Sequence, residues 1–458
     1  MVFSSILFLF RFMPIAFLIY YLMPRKLKNA SLLILSFVFY SWGEVKYFPI
    51  MIASILVDYT CSLAIEKYRK NKNMCRLFLI ISVVFNLGML IFFKYTNFFM
   101  ENIELITGLI TPRLGLTLPL GISFYTFQTM SYTIDVYRDK VKAEKNIIDF
   151  GAFVVLFPQL IAGPIVKYTD INVELKSRKV NFNQITEGIK LFIFGVGSKV
   201  LIANNIGSLW TELETIGFSN ISTPLAWIGI LAFSFQIYFD FSGYSLMAIG
   251  LGKMLGFNFP KNFDFPYISR SITEFWRRWH MTLGSWFREY VYIPMGGNRV
   301  TPLRRTFNLL IVWAATGIWH GANWNFLIWG LFFFAIIVIE KQFIGDFLAK
   351  HKVFSHIYVI FLLLISWSIF ALTDFSTLTL FISRLFSFKG GTDWVYYLRN
   401  YAVTFIIAGI FSTPWLKKYY EKLKPQSPIA IIMFAGIFLV SVAYLVDATY
   451  NPFLYFRF

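Results

Sequence analysis

Of the four histidines in the chain, two stand where they could do chemistry. His320 lies in GIWHGANW, within Thr306–Ile339, a run of 34 positions that holds no Asp, Glu, Lys or Arg. Ionisable groups in so apolar a setting are costly, and they tend to line cavities or pair with one another. Imidazole titrates near neutrality, and burial without a carboxylate favours its neutral form. A neutral imidazole can accept a proton at about pH 7. Gly317 and Gly321 would let a substrate approach the backbone, Asn323 offers a donor–acceptor amide, and Trp324 a flat apolar wall. The other reading of His320 is a packing histidine bonded to a helix carbonyl.

His280 ends FWRRWH. On a helix, Trp276, Trp279 and His280 share one face, with Arg277 at its border and Arg278 elsewhere. Two readings stand. His280 is part of the polar edge of an amphipathic membrane-surface helix, or it is carried toward His320. His351, between two lysines, and His356, at the start of an apolar run, read as solvated or interfacial.

Other polar residues recur inside aromatic, helix-length stretches. Gln128 and Ser131 do so in 116–138, and Gln236 and Asp240 in 232–250. Each is either a cavity-lining group or part of the interhelical hydrogen bonding that joins membrane helices. Arg277, Arg278 and Arg288 could meet phosphates if their segment is cytoplasmic, although the loop-charge rule for membrane proteins explains the same residues. No Walker loop, dinucleotide fingerprint, zincin motif or nucleophile elbow occurs. Cys61 and Cys75 lack metal-ligand spacing and read as structural. No metal and no permanently bound cofactor is expected.

The elements that position these groups must be membrane helices. The chain is 57% hydrophobic and 14% charged, against about 25% charged in ordinary soluble domains. Spans of about 17 to 25 apolar residues suggest an all-α polytopic protein with roughly 10 to 12 membrane segments. Residues 1–110 read as four plain helices and a short fifth piece. The apolar run 150–166 is long enough to span, and within it residues 157–166 hold Pro158, Gly163 and Pro164 and read as kinked or re-entrant. Residues 167–187 read as an exposed loop leading to a helix at about 188–205, and 306–339 as two helices. Residues 253–305 hold nine Lys or Arg against three acids and are dense in aromatics, which fits amphipathic helices at the interface or dipping into the protein. Residues 340–352 and 417–424 are further charged loops.

A net charge of +18 fits cytoplasmic loops of a membrane protein, not a nucleic-acid partner. Basic residues follow the first and third spans, whereas the intervening turns are balanced or acidic. This alternation puts the N-terminus outside and the 67–76 loop in the cytoplasm. A cleavable leader is not expected, since no small-residue cleavage site follows the first apolar run. The helix breaks do not pair in two halves, which disfavours a repeat-built transporter.

LPLGISFYTFQTMSYTIDVYR, FPQLIAGP, FDFSGYSLMAIGLGKMLGFNFP with the following residues to GGNR, GIWHGANWNFLIWG and the closing DATYNPFLYFRF resemble the membrane-bound O-acyltransferase family. YIPMGGNR is most similar to the branch that serves alginate O-acetylation. The resemblance implies a single membrane domain over 1–458: scaffold helices at 1–110, a catalytic core at 117–340, and C-terminal helices at 341–458. It implies a ring of helices with re-entrant and interfacial pieces around a central tunnel.

For function, the resemblance implies that His320 is the family's invariant histidine and His280 the second catalytic residue. Gln128, Ser131, Gln236, Asp240, Trp276, Arg277, Arg288 and Asn323 are then expected to bind substrate. His320 acts as base or as a transient acyl carrier, and His280 orients the donor or stabilises charge on the carbonyl oxygen. The implied reaction takes an acetyl group from cytoplasmic acetyl-CoA, in a bacterial-type cell membrane, for O-acetylation of an extracellular polysaccharide. An extracellular SGNH-type acetyltransferase is the implied partner. The alternatives are D-alanyl transfer to teichoic acid from a carrier protein, a non-enzymatic polysaccharide or lipid transporter, and a non-catalytic scaffold.

Overall fold

A computed structural model describes residues 1–112, 114–416, 419, 427–447 and 454. The charged stretch 417–424, apart from 419, and the closing motif, apart from 447 and 454, lie outside the described residues. Helices dominate, and no strand occurs among the described residues. Among the described residues, six helices are long and apolar enough to cross a membrane: Val45–Lys67, Lys72–Thr107, Thr223–Met254, Trp324–Lys350, Lys352–Ala371 and Pro428–Asp447. Phe8–Leu22 and Phe375–Phe386 are shorter apolar helices. Two further helices of 19 residues each are Pro302–His320, which includes Arg304 and Arg305, and Asp393–Phe411, which includes Arg399. The chain is an all-α, multi-pass membrane protein.

The described chain forms two compact units. The first comprises Met1–Phe192 and Met247–Pro260. The expected fifth apolar piece is not separate here. Asn71 caps Lys72–Thr107 by accepting from the amides of Asn73 and Met74, and the helix runs unbroken to Gly108, which ends it at φ +71°. No proline interrupts the interval, so the apolar piece simply continues the fourth helix.

Three helices of this unit are tied by a buried polar network. Asp58, on Phe48–Lys67, is fully buried. It accepts from Ser82 Oγ, from Asn86 Nδ2 at 2.8 Å and from Thr133 Oγ1 at 3.2 Å. Asn86 also accepts from Thr129 Oγ1 at 3.2 Å. Polar residues of the 116–138 stretch therefore serve here as interhelical hydrogen-bonding groups.

The apolar run 150–166 is broken, as its prolines require: Ile147–Val155 ends, Phe157–Leu160 follows, and the chain then runs without helix to Lys167. The expected loop 167–187 contains a short helix, Tyr168–Lys176, and the next helix already begins at Phe182.

The second unit comprises Ile193–Leu246 and Lys261–Phe458. The 34-residue uncharged run is two helices, Pro302–His320 and Trp324–Ile339, joined by three residues. They approach at Gly317 and Gly330. A Cβ on Gly317 would stand 2.4 Å from the Phe326 carbonyl oxygen, and one on Gly330 would stand 2.4 Å from that of Trp313. Space beside Gly317 and Gly321 is filled by Phe326 and Gly330, so these glycines serve helix packing, not the expected approach of a substrate.

Between residues 261 and 305 the expected amphipathic helices are short: Ile272–Arg278 and Met281–Phe287, followed by a π-helical turn Arg288–Tyr292. Phe275, Trp279 and Trp286 are buried, so this segment dips into the protein interior. Glu340 fixes its entry. That buried carboxylate accepts from the Ile272 amide at 2.5 Å, the Thr273 amide at 2.9 Å and Thr273 Oγ1 at 2.8 Å. An anion at a helix N-terminus satisfies the amides that have no partner within the helix.

Candidate active site

The second unit holds a small cavity of about 20 Å³, room for roughly one water or methyl group. Ile237, Phe241, Trp279, Trp329, Trp367, Phe370 and Leu454 wall it, and Asp240 and His320 are its polar lining residues. His320 is the last residue of Pro302–His320 and is 8% exposed. Its ring meets Trp329, Trp319 and Phe370 edge-on, with centroids 4.9, 5.1 and 5.3 Å away. Carbonyls at a helix C-terminus favour positive charge, so this position helps an imidazole that takes up a proton.

His280 does not continue a helix. Ile272–Arg278 stops, Trp279 is extended, and His280 adopts φ +43° and ψ +53° ahead of Met281–Phe287. Trp276, Trp279 and His280 therefore do not share a helical face as expected. A left-handed non-glycine residue costs on the order of 1–3 kcal/mol and persists where surrounding contacts impose it. Here they do: Asn262 Oδ1 lies 3.1 Å from His280 Nδ1 and accepts from Thr282 N and Oγ1 at 3.3 and 2.9 Å.

The Thr282 amide can only donate, so it fixes the oxygen of the Asn262 amide in this position. His280 Nδ1 must then carry the proton, which leaves Nε2 as the accepting nitrogen. Burial pushes the imidazole down to about 3, which keeps it neutral. Phe241, a cavity wall, stands edge-on to His280 at 4.7 Å, and Trp319 lies against both histidines, 6.1 Å from His280.

Of the residues expected to bind substrate, Asp240 lines the cavity. Its carboxylate is engaged by Lys199 at 2.6 Å and by the Leu454 amide at 2.8 Å. Trp276 lies behind the wall, packed 5.5 Å from Trp329. Gln236 is buried one helical turn from Asp240, with its side chain against Gly207. Asn323 caps the helix after His320 by accepting from the Asn325 amide at 3.4 Å. Arg277 and Arg288 are exposed and do not line the cavity. Gln128 and Ser131 are buried in the first unit, where Ser131 Oγ donates to the Gln128 carbonyl at 2.7 Å. Trp324, expected as a wall, is 48% exposed, and Trp329 takes that place.

Sequence reasoning missed Lys199 and the walls Trp329, Trp367 and Phe370, and it named Trp279 without giving it a place in the site. Lys199 carried a signal: it is a lone charge within the apolar stretch LFIFGVGSKVLIA. The walls carried none, because aromatics are abundant throughout the chain. No group of three or more His, Cys, Asp or Glu side chains able to hold a metal occurs among the described residues.

The membrane-bound O-acyltransferase family matches residues 37–383. The chain belongs to this family. Among its relatives is a probable alginate O-acetylase AlgI of Azotobacter vinelandii, 39% identical over 86% of this chain and 79% of the relative. The Pseudomonas putida protein of that name is 35% identical over the full length of both chains. A peptidoglycan O-acetyltransferase of Helicobacter pylori is 37% identical over 78% of this chain and 71% of its own. The protein is a membrane-bound acyltransferase, and the paired histidine region lies inside the matched span.

Proposed function

We propose that this chain transfers an acetyl group from cytoplasmic acetyl-CoA for O-acetylation of an extracellular polysaccharide, with His320 as the proton-accepting group. The observation that carries this reading is the position of His320, buried at a helix C-terminus in a small aromatic cavity. Relatives named for alginate and peptidoglycan O-acetylation support the polysaccharide acceptor. On this reading the protein lies in a bacterial inner membrane with its N-terminus outside. A secreted SGNH-type acetyltransferase is its partner and the immediate hydroxyl acceptor.

In the reaction, the acceptor hydroxyl loses its proton to the His320 imidazole as its oxygen attacks the thioester carbonyl. The carbon–sulfur bond then breaks, and the imidazolium returns the proton to the departing thiolate. Ester and free thiol result. A positioned base of this kind accelerates transfer by about 100- to 10,000-fold. His280, neutral and with its accepting nitrogen opposite the Asn262 bond, is suited to receive a hydrogen bond from the donor or the acceptor and so orient it. That tautomer makes it a poor stabiliser of an oxyanion, which needs hydrogen-bond donors. Arg277 and Arg288, both exposed, are placed in the role of meeting the phosphates of coenzyme A.

The test uses inverted membrane vesicles containing the full chain, its candidate partner and the native polysaccharide, given acetyl-labelled coenzyme A. Alkali-labile label on the polymer or partner is expected. Label that stays in the thioester, with the chain present at normal levels, would contradict the reading.

A further inference from the structure

Lys199 and Asp240 are each only 2% exposed, and their ion pair is 2.6 Å long. Two local features bring them together. Lys199 lies in a π-helical stretch, Ser198–Asn204, which departs from the regular turn of the helices around it and so re-aims its side chains. Gly243, one turn beyond Asp240, lets the backbones close: a Cβ there would stand 2.8 Å from the Gly195 carbonyl oxygen and 3.1 Å from the Lys199 amide. A buried ion pair is seldom a strong source of stability, since desolvation offsets most of its Coulomb attraction. Its retention invites a different explanation.

That explanation is the third contact. The second carboxylate oxygen of Asp240 accepts the Leu454 amide at 2.8 Å, and Leu454, 5% exposed, is one wall of the cavity that holds His320. Asp240 is thus bound on one side by a cation that fixes its rotamer and on the other by the backbone of a cavity wall. The hydrogen bond to an ionised acceptor is stronger than to a neutral one. We propose that Leu454, held in place by the Lys199–Asp240 pair, limits the acyl group at His320 to the size of acetyl. Asp240 is a positioning residue in this scheme and Leu454 the specificity-determining one. The proposal rests on the reading that a short acyl group reacts at His320.

The experiment compares transfer from acetyl-, propionyl- and butyryl-coenzyme A in membrane vesicles containing the full chain. Leu454→Ala is expected to raise the propionyl-to-acetyl ratio by about tenfold or more, the scale of one methylene in an apolar pocket. Leu454→Phe shifts the ratio the other way. Lys199→Met with Asp240→Leu replaces the pair by apolar groups of similar bulk but removes the acceptor for the Leu454 amide, and should raise the ratio as Leu454→Ala does. Lys199→Met with Asp240→Asn keeps an acceptor without charge, and should hold the ratio near wild type whatever its rate. A purely structural pair would affect both double variants alike. Ratios unchanged in Leu454→Ala and Leu454→Phe, with wild-type acetyl transfer intact, overturn the inference while leaving the proposed function standing. No acyl transfer by the wild type from any of the three donors would instead sink the proposed function.

Discussion

Asn262 decides what His280 can do, because its oxygen sets which imidazole nitrogen carries the proton. Asn262→Leu should leave the chain in the membrane but lower kcat by about tenfold, the scale of one lost hydrogen bond to a buried orienting group. An unchanged kcat would show that His280 needs no fixed tautomer. The same histidine makes stability depend on pH. Burial lowers its folded value to about 3, whereas an unfolded histidine titrates near 6.5. Between those values the unfolded chain binds a proton that the folded chain does not. The stabilisation is therefore complete above about 6.5 and is lost as pH falls toward 3. The melting temperature of detergent-purified protein should fall between pH 7 and pH 4.5, and less steeply in His280→Gln. Equal slopes would assign the effect to other groups. His320 was legible in the sequence because an ionisable group in an uncharged run demands an explanation. Lys199 offered the same signal, but its role shows only when Asp240 is found beside it.

At the level of elements, the kink between Ile272–Arg278 and Met281–Phe287 was hidden. The spacing of Trp276, Trp279 and His280 satisfies a helical period, and tertiary contacts, those of Asn262 and Glu340 among them, override it. The expected fifth apolar piece is part of Lys72–Thr107 because no proline stands in that interval. In the first unit, Asp58 is the acceptor on which Ser82, Asn86 and Thr133 converge. Asp58→Ala would remove the acceptor of Ser82 Oγ, at about 1–3 kcal/mol, and would leave Asn86 Nδ2 and Thr133 Oγ1 only the Ser82 and Thr129 carbonyls. The expected result is a several-fold drop in the amount of protein in the membrane, with activity per molecule retained. Loss of specific activity at an unchanged membrane level would instead place Asp58 in the reaction.

For the whole molecule, the fold class followed from composition, since no soluble domain could bury this much apolar surface. The cavity did not, because its walls are contributed by segments as distant in sequence as Ile237, Trp279, Trp329, Trp367 and Leu454. Loop charge carries the proposed orientation, with residues 67–76 in the cytoplasm. With Cys61 and Cys75, both buried, replaced by Ala, a Lys70→Cys variant should react with an impermeant maleimide in inverted vesicles and not in intact cells. The reverse pattern would turn the topology over.

His320→Ala separates proton transfer by His320 at a buried acyl site from a packing role for this side chain. Membrane level and melting temperature should stay close to wild type while O-acetyl ester on the polysaccharide falls to background. Ester retained at wild-type levels in that variant would mean that His320 does not carry the proton.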